Sequence, residues 1–196
     1  QILNYVDSKP NLEASELAMA LVHVVKKDPR TRDRRVTTLV ENISQQAQVL
    51  SPRDIASTMV SWGRMFYKNR RVLRRIVEAI PAVVEDFNSQ HIANTLNAMG
   101  KLGYKDDAVM RCLLQEARHK AKDFNSQDIA NTLNAMSKIE YKDDAVMRCL
   151  LQEARHKAKD FNSQAIANTL NAMGKLDYKD NAGMRCRLRE ARPTEK

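Results

Sequence analysis

Four polar side chains recur as a block: Gln90, Asn94, Asn97 and Lys101, then Gln127, Asn131, Asn134 and Lys138, then Gln164, Asn168, Asn171 and Lys175. Steps of three and four residues put each block on one face of a helix. An amide presents a donor and an acceptor, as a base edge does, and an ammonium suits a phosphate. The chemistry within reach is therefore recognition of a polar, anionic partner rather than bond-making. The asparagines also admit a structural reading, a ladder tying adjacent repeats. Further upstream their columns hold Met19 and Ser57, and Val22 and Val60, whose apolar members point to burial.

These blocks sit inside a sentence written three times, FNSQHIANTLNAM at 87–99, FNSQDIANTLNAM at 124–136 and FNSQAIANTLNAM at 161–173. Only the fifth letter changes, to His91, Asp128 and Ala165, and the aligned residue upstream is Asp54. Where neighbouring units are near copies, a divergent position is either unconstrained or reads something. Helical-repeat RNA binders read one base with two or three side chains per unit. The other reading is the third position of a helix, where an acid favours the dipole. Arg53 and Arg64 extend the candidate set into the preceding unit.

A second cationic set, Arg111, Arg118, Lys120 and Lys122, repeats as Arg148, Arg155, Lys157 and Lys159, and Arg70, Arg71, Arg74 and Arg75 stand further upstream. Spread around a helix and interrupted by Glu116, it reads as a solvated face or as a phosphate track. His119 and His156 lie in the same charged segment and are expected at the surface. No histidine joins a Ser, Cys or carboxylate in a nucleophilic or metal-binding motif, and no glycine loop could cradle a phosphate. The expectation is a non-enzyme with no cofactor, no metal and no small-molecule substrate. Cys112, Cys149 and Cys186 repeat every 37 residues. Equivalent positions in a stack face the same way and do not pair, so buried, reduced thiols are expected, as in an intracellular, reducing compartment.

The elements that must hold these residues follow from the period. Phe87, Phe124 and Phe161 are 37 apart, and 87–123 matches 124–160 at all but four positions. Residues 50–59 align with 87–96 without a gap, and Leu12, Leu17, Ala18 and Leu21 align at a shift of 38, the extra residue falling near Asp28-Pro29-Arg30. Units of about 12–49, 50–86, 87–123, 124–160 and 161–196 result, with 1–11 as the end of a preceding one. Each reads as two helices. Ser51-Pro52-Arg53-Asp54 and Asn125-Ser126-Gln127-Asp128 are start signals, and Ile92, Leu96, Met99 and Leu102 make a buried face. Gly103-Tyr104-Lys105 turns the chain and Asp106 caps the second helix.

In that second helix Met110, Leu114, Ala117 and Ala121 form one apolar stripe and Val109 and Leu113 another. In the last unit the second stripe becomes Gly183 and Arg187, as a terminal repeat without a following neighbour requires. Positions 109, 113, 146 and 150 are thereby assigned to the contact with the next repeat. Trp62, in the Met99 column, is expected in the core, and Pro81 should kink or shorten the second helix of its unit. The fold class is all-α, a single α-solenoid domain over 1–196.

Composition agrees. Aromatics reach only 5%, and glycines and prolines number five each, against many good helix formers. Net charge is +9, and by unit it runs +1, +3, +2, 0 and +3, a stripe rather than a basic tail. Such an excess attracts polyanions. No apolar run is long enough to span a membrane. A start at Gln1 without Met reads as a segment of a longer chain.

The pattern Phe-x-x-Gln-x-Ile-Ala-Asn-Thr-Leu-x-Ala-Met-x-Lys-Leu, at 124–139 with Ile139 last, resembles the octotricopeptide repeat. It is also similar to short tandem repeats of uncharacterised proteins of intracellular bacteria. The resemblance covers three units well and the two N-terminal ones faintly. It implies a right-handed solenoid of helical hairpins that binds RNA in organelles, with first helices on the concave side. The unit here is 37 residues rather than 38, and Asn97, Asn134 and Asn171 replace an aromatic. The bacterial relatives imply secreted effectors with protein targets. The expected partner is single-stranded RNA, with a protein partner as the alternative. The expected location is an organelle, a bacterial cytoplasm or a host cell.

Overall fold

The computed structural model of the chain describes residues 1–9 and 11–179. The described residues form an α-solenoid of helical hairpins. Its helices are α1 (Ile2–Ser8), α2 (Ala14–Lys27), α3 (Arg34–Gln45), α4 (Pro52–Met65), α5 (Arg70–Ala79), α6 (Ser89–Leu102), α7 (Asp107–His119), α8 (Ser126–Ile139), α9 (Asp144–His156) and α10 (Ser163–Lys175). The even-numbered helices start 38, 37, 37 and 37 residues apart, the spacing of the sequence repeat. The link between α2 and α3 spans 28–33, against 66–69, 103–106 and 140–143 in the later hairpins. The second helix of each described hairpin ends in a short 3-10 turn, at 47–49, 84–86, 121–123 and 158–160. Pro81 sits in an additional 3-10 turn, at 80–82, and α5 stops before it at ten residues where α7 and α9 run thirteen.

First helices stack on first helices and second on second, and the first-helix layer is the more closely packed. Small residues allow this. A Cβ on Gly100 would stand 3.1 Å from the Ala135 Cα, and one on Gly63 would stand 3.4 Å from the Ala98 Cα. Ser137 fills the same column in the next hairpin, buried, with its Oγ donating to the Asn134 carbonyl at 3.0 Å.

The core runs the length of the stack. Ile92, Leu96 and Met99 of α6 and Met110, Leu114 and Ala117 of α7 are fully buried, and so are their counterparts Ile129, Leu133, Met136, Met147 and Ala154. Val109, Leu113, Val146 and Leu150 are buried too, as is Trp62. Leu50, Phe87, Phe124 and Phe161 plug the junctions between hairpins. Residues 183–187, the expected outer cap, lie outside the described residues.

Hairpins are also latched by side chains that reach carbonyls one period away. Lys120 Nζ donates to the Glu85 and Phe87 carbonyls at 2.5 and 2.7 Å, and Lys157 Nζ to those of Lys122 and Phe124 at 2.6 and 2.5 Å. In the other direction Ser89 Oγ donates to the Asp123 carbonyl at 3.1 Å and Ser126 Oγ to that of Asp160 at 2.8 Å. This corrects the expectation that Lys120 and Lys157 belong to a solvated cationic face. They are half-buried and hold carbonyls that the 3-10 turns leave unpaired. At the N-terminal end Arg35 ties α3 to α1 through Asn4 Oδ1 at 2.7 Å.

Candidate nucleic-acid interface

The stripe inferred from the sequence lies on the first helices. Gln90, Gln127 and Gln164 are exposed, as are Arg53, Arg64, Lys101, Lys138 and Lys175, while Asn94, Asn131 and Asn168 are half-buried. Gln127 Nε2 donates to Asn131 Oδ1 at 3.0 Å, one turn along the same helix. Among the described residues no side-chain hydrogen bond joins an asparagine of one hairpin to that of the next, so the ladder is not formed.

The cations form a column, one per hairpin. Alignment at a shift of 38 adds Lys26, which the sequence reading left out although the same alignment contained it. Lys26, Arg64, Lys101, Lys138 and Lys175 each stand in the last turn of a first helix. A cation there also suits the dipole, but the dipole does not demand one face. Among the described residues none of the five forms an ion pair. Lys101 leans over its neighbour, its Cδ lying 3.6 Å from where a Cβ on Gly63 would be. Partial burial, then Lys138, then Arg64 lowers its pKa, so the column is close enough for like charges to repel. Between the C-terminal ends of α8 and α10 lies an open groove lined by Lys138, Lys175, Lys142, Glu140 and Asp177.

The variable position is the third residue of each first helix, and it belongs to the cap. Asn88, Asn125 and Asn162 Oδ1 each accept the N–H of His91, Asp128 or Ala165 at 2.8 Å. His91 Nδ1 and Asp128 Oδ2 accept in return from the cap N–H, at 3.4 and 3.3 Å. Ser51 and Asp54 make the related pair, Oγ donating to Oδ2 at 2.7 Å. Asp128 is 5% and Ala165 1% exposed, and His91 is half-buried with its ring edge-on to Phe87 at 5.9 Å. Burial raises the Asp128 pKa, and burial together with Arg53 lowers that of His91.

On the second helices Arg111, Arg118, Arg148, Lys122 and Lys159 are exposed, and so are His119 and His156. Cys112 and Cys149 are free and half-buried rather than buried, because they flank the core stripe instead of lying in it. Burial raises the Cys112 pKa, so its thiol is not activated. Cys186 lies outside the described residues. Among the described residues no group of His, Cys, Asp and Glu could hold a metal ion, and no helix is long and apolar enough to cross a membrane.

The model of RESC6, RNA-editing substrate-binding complex 6 protein, matches residues 5–192. The chain belongs to this family. The RESC6 match takes in every hairpin and the whole cationic column. No curated protein matches the chain.

Proposed function

We propose that this chain is a helical-repeat module that binds single-stranded RNA along its first-helix surface. One observation carries the reading: an exposed cation that forms no ion pair among the described residues recurs on one face of every described first helix, from Lys26 to Lys175. Only an elongated anion matches a column repeated at helix-to-helix spacing. The glutamines and asparagines beside it offer amides to base edges. A footprint of about one nucleotide per hairpin follows, on the order of five in all. The family's own description, an RNA-editing substrate-binding complex protein, supports RNA as the partner. Free thiols at Cys112 and Cys149 suit a reducing intracellular compartment.

RNA affinity should fall with salt at a log–log slope near −0.7 per phosphate contacted. Replacing Lys101, Lys138 and Lys175 by Gln should flatten that slope by about 2, three contacts at about 0.7 each. An unchanged slope in the triple variant, or wild-type protein with no salt-dependent RNA binding, defeats the proposal.

A protein-interaction scaffold is the second reading. The zero net charge of 124–160 and the lack of an exposed aromatic on the described first helices favour it. The family match gives no support to its bacterial-effector form. Retention of a partner by nuclease-treated protein with the triple substitution would favour the scaffold.

A further inference from the structure

We propose that the turn joining α4 to α5 is a base-stacking and phosphate-anchoring site for single-stranded RNA. Phe66 is its platform, and Arg64, Lys68, Arg70 and Arg71 are its cationic rim. The assignment rests on the RNA-binding reading and names the place where a strand is held by more than charge.

Phe66 is out of keeping with everything the fold asks of its position. Its φ is +52°, in the left-handed region, and the same column holds Gly103, Glu140 and Asp177. The turns after α4, α6, α8 and α10 share that backbone shape, and three of the four have it without an aromatic. The Phe66 N–H donates to the Trp62 carbonyl, a bond any residue but proline could make. Phe66 is 65% exposed. The neighbouring Tyr67 is half-buried instead, its ring 6.0 Å from that of Trp62. A bulky side chain is thus held in a disfavoured conformation with its ring in water.

The charge around it is denser than at the later turns, where Arg64 and Lys68 have cationic counterparts but Arg70, Arg71 and Arg75 do not. No acidic residue lies between Asp54 and Glu78, while Arg64, Lys68, Arg70, Arg71 and Arg75 are all exposed. Arg70 and Arg71 occupy the first turn of α5, where the helix dipole disfavours cations. At the equivalent positions α3 also has two arginines, Arg34 and Arg35, whereas α7 has Asp107 and Ala108, and α9 has Asp144 and Ala145. Arg74 pairs with Glu78 at 2.7 Å, but among the described residues the rim cations form no ion pair. The ring in its left-handed conformation and the Arg70-Arg71 pair in the first turn of α5 both oppose local stability. An unpaired base has a π-face for the ring and a phosphate for the rim. Arg64 belongs to the column as well, so the site continues the track along the first helices.

The test compares a labelled single-stranded oligoadenylate with inorganic polyphosphate, an anion without bases, as ligands of the full chain. Phe66→Gly should weaken oligoadenylate binding by roughly 5- to 150-fold. It should leave polyphosphate binding unchanged and raise Tm, because glycine relieves the left-handed strain. Phe66→Trp should keep RNA affinity, and its emission should change when RNA is added. If Phe66→Gly binds oligoadenylate like wild type, the stacking site is wrong and the column reading stands. Equal losses for both ligands also overturn it, since the ring would then act only through the shape of the turn. Wild type without salt-dependent RNA binding removes the column reading and this one together. Polyglutamate binding that depends on Phe66, without RNA binding, makes the turn a dock for an acidic protein instead.

Discussion

At the residue scale the variable position shows how one site in a repeat acquires opposite chemistry. His91 and Asp128 occupy equivalent cap positions, and burial works against the charged form of each. For Asp128 the folded chain keeps a proton that the unfolded chain has already lost. Its contribution is therefore complete below the ordinary value of 3.8 and is lost as pH rises through the raised folded value. Asp128→Asn should raise Tm at pH 7, and the gain should disappear below 3.8. The amide oxygen can still accept from the Asn125 N–H, so the cap survives. For His91 the sign reverses: its contribution is complete above the ordinary value of 6.5 and is lost as pH falls through the lowered folded value. Thermal melts of wild type and variant across that range check both.

At the element scale α4, α6, α8 and α10 end in the same left-handed turn, whereas α2 leaves through an extended Asp28. The N–H groups of Tyr67, Tyr104, Tyr141 and Tyr178 reach the carbonyls of Trp62, Met99, Met136 and Met173, five residues back, at 2.9–3.0 Å. This geometry favours glycine at the turning residue, yet only Gly103 supplies it, with Glu140 at φ +55° and Asp177 at φ +46°. Glu140→Gly should stabilise the chain by about 1 kcal/mol, raising Tm by about 2–4 °C. Gly103→Glu should cost a similar amount. Calorimetry of the two variants gives equal and opposite shifts if the turn alone decides the effect.

At the scale of the whole molecule the hairpins couple only to their neighbours. The layers, the lysine latches and the serine latches all act across one period. Deleting 124–160 joins Asp123 to Phe161, a junction of the same residue types as Asp123 to Phe124. The shortened chain should still unfold cooperatively. Its denaturant m-value should fall by about a fifth, the share of 37 residues in 196, because m follows the surface exposed. Two separate transitions, or failure to fold, would contradict nearest-neighbour coupling. The RNA footprint should shorten with it, by about one nucleotide.

The sequence alone determined the period, the two helices per unit, the cap asparagines, the turn at Gly103 and the core columns. Each depends on residues three or four apart, or on identity at one fixed spacing, and both are visible along a line. Tertiary structure decided what those neighbours face. Asp128 is buried, Lys120 and Lys157 hold carbonyls 33–35 residues away, the cysteines sit half outside the core, and Phe66 faces water. The same holds for Lys101, whose pKa is lowered first by partial burial and then by cations on the adjoining hairpins. These facts depend on how one hairpin lies against the next. That arrangement is set by close contacts such as Gly100 on Ala135, and no local pattern of residue types encodes it.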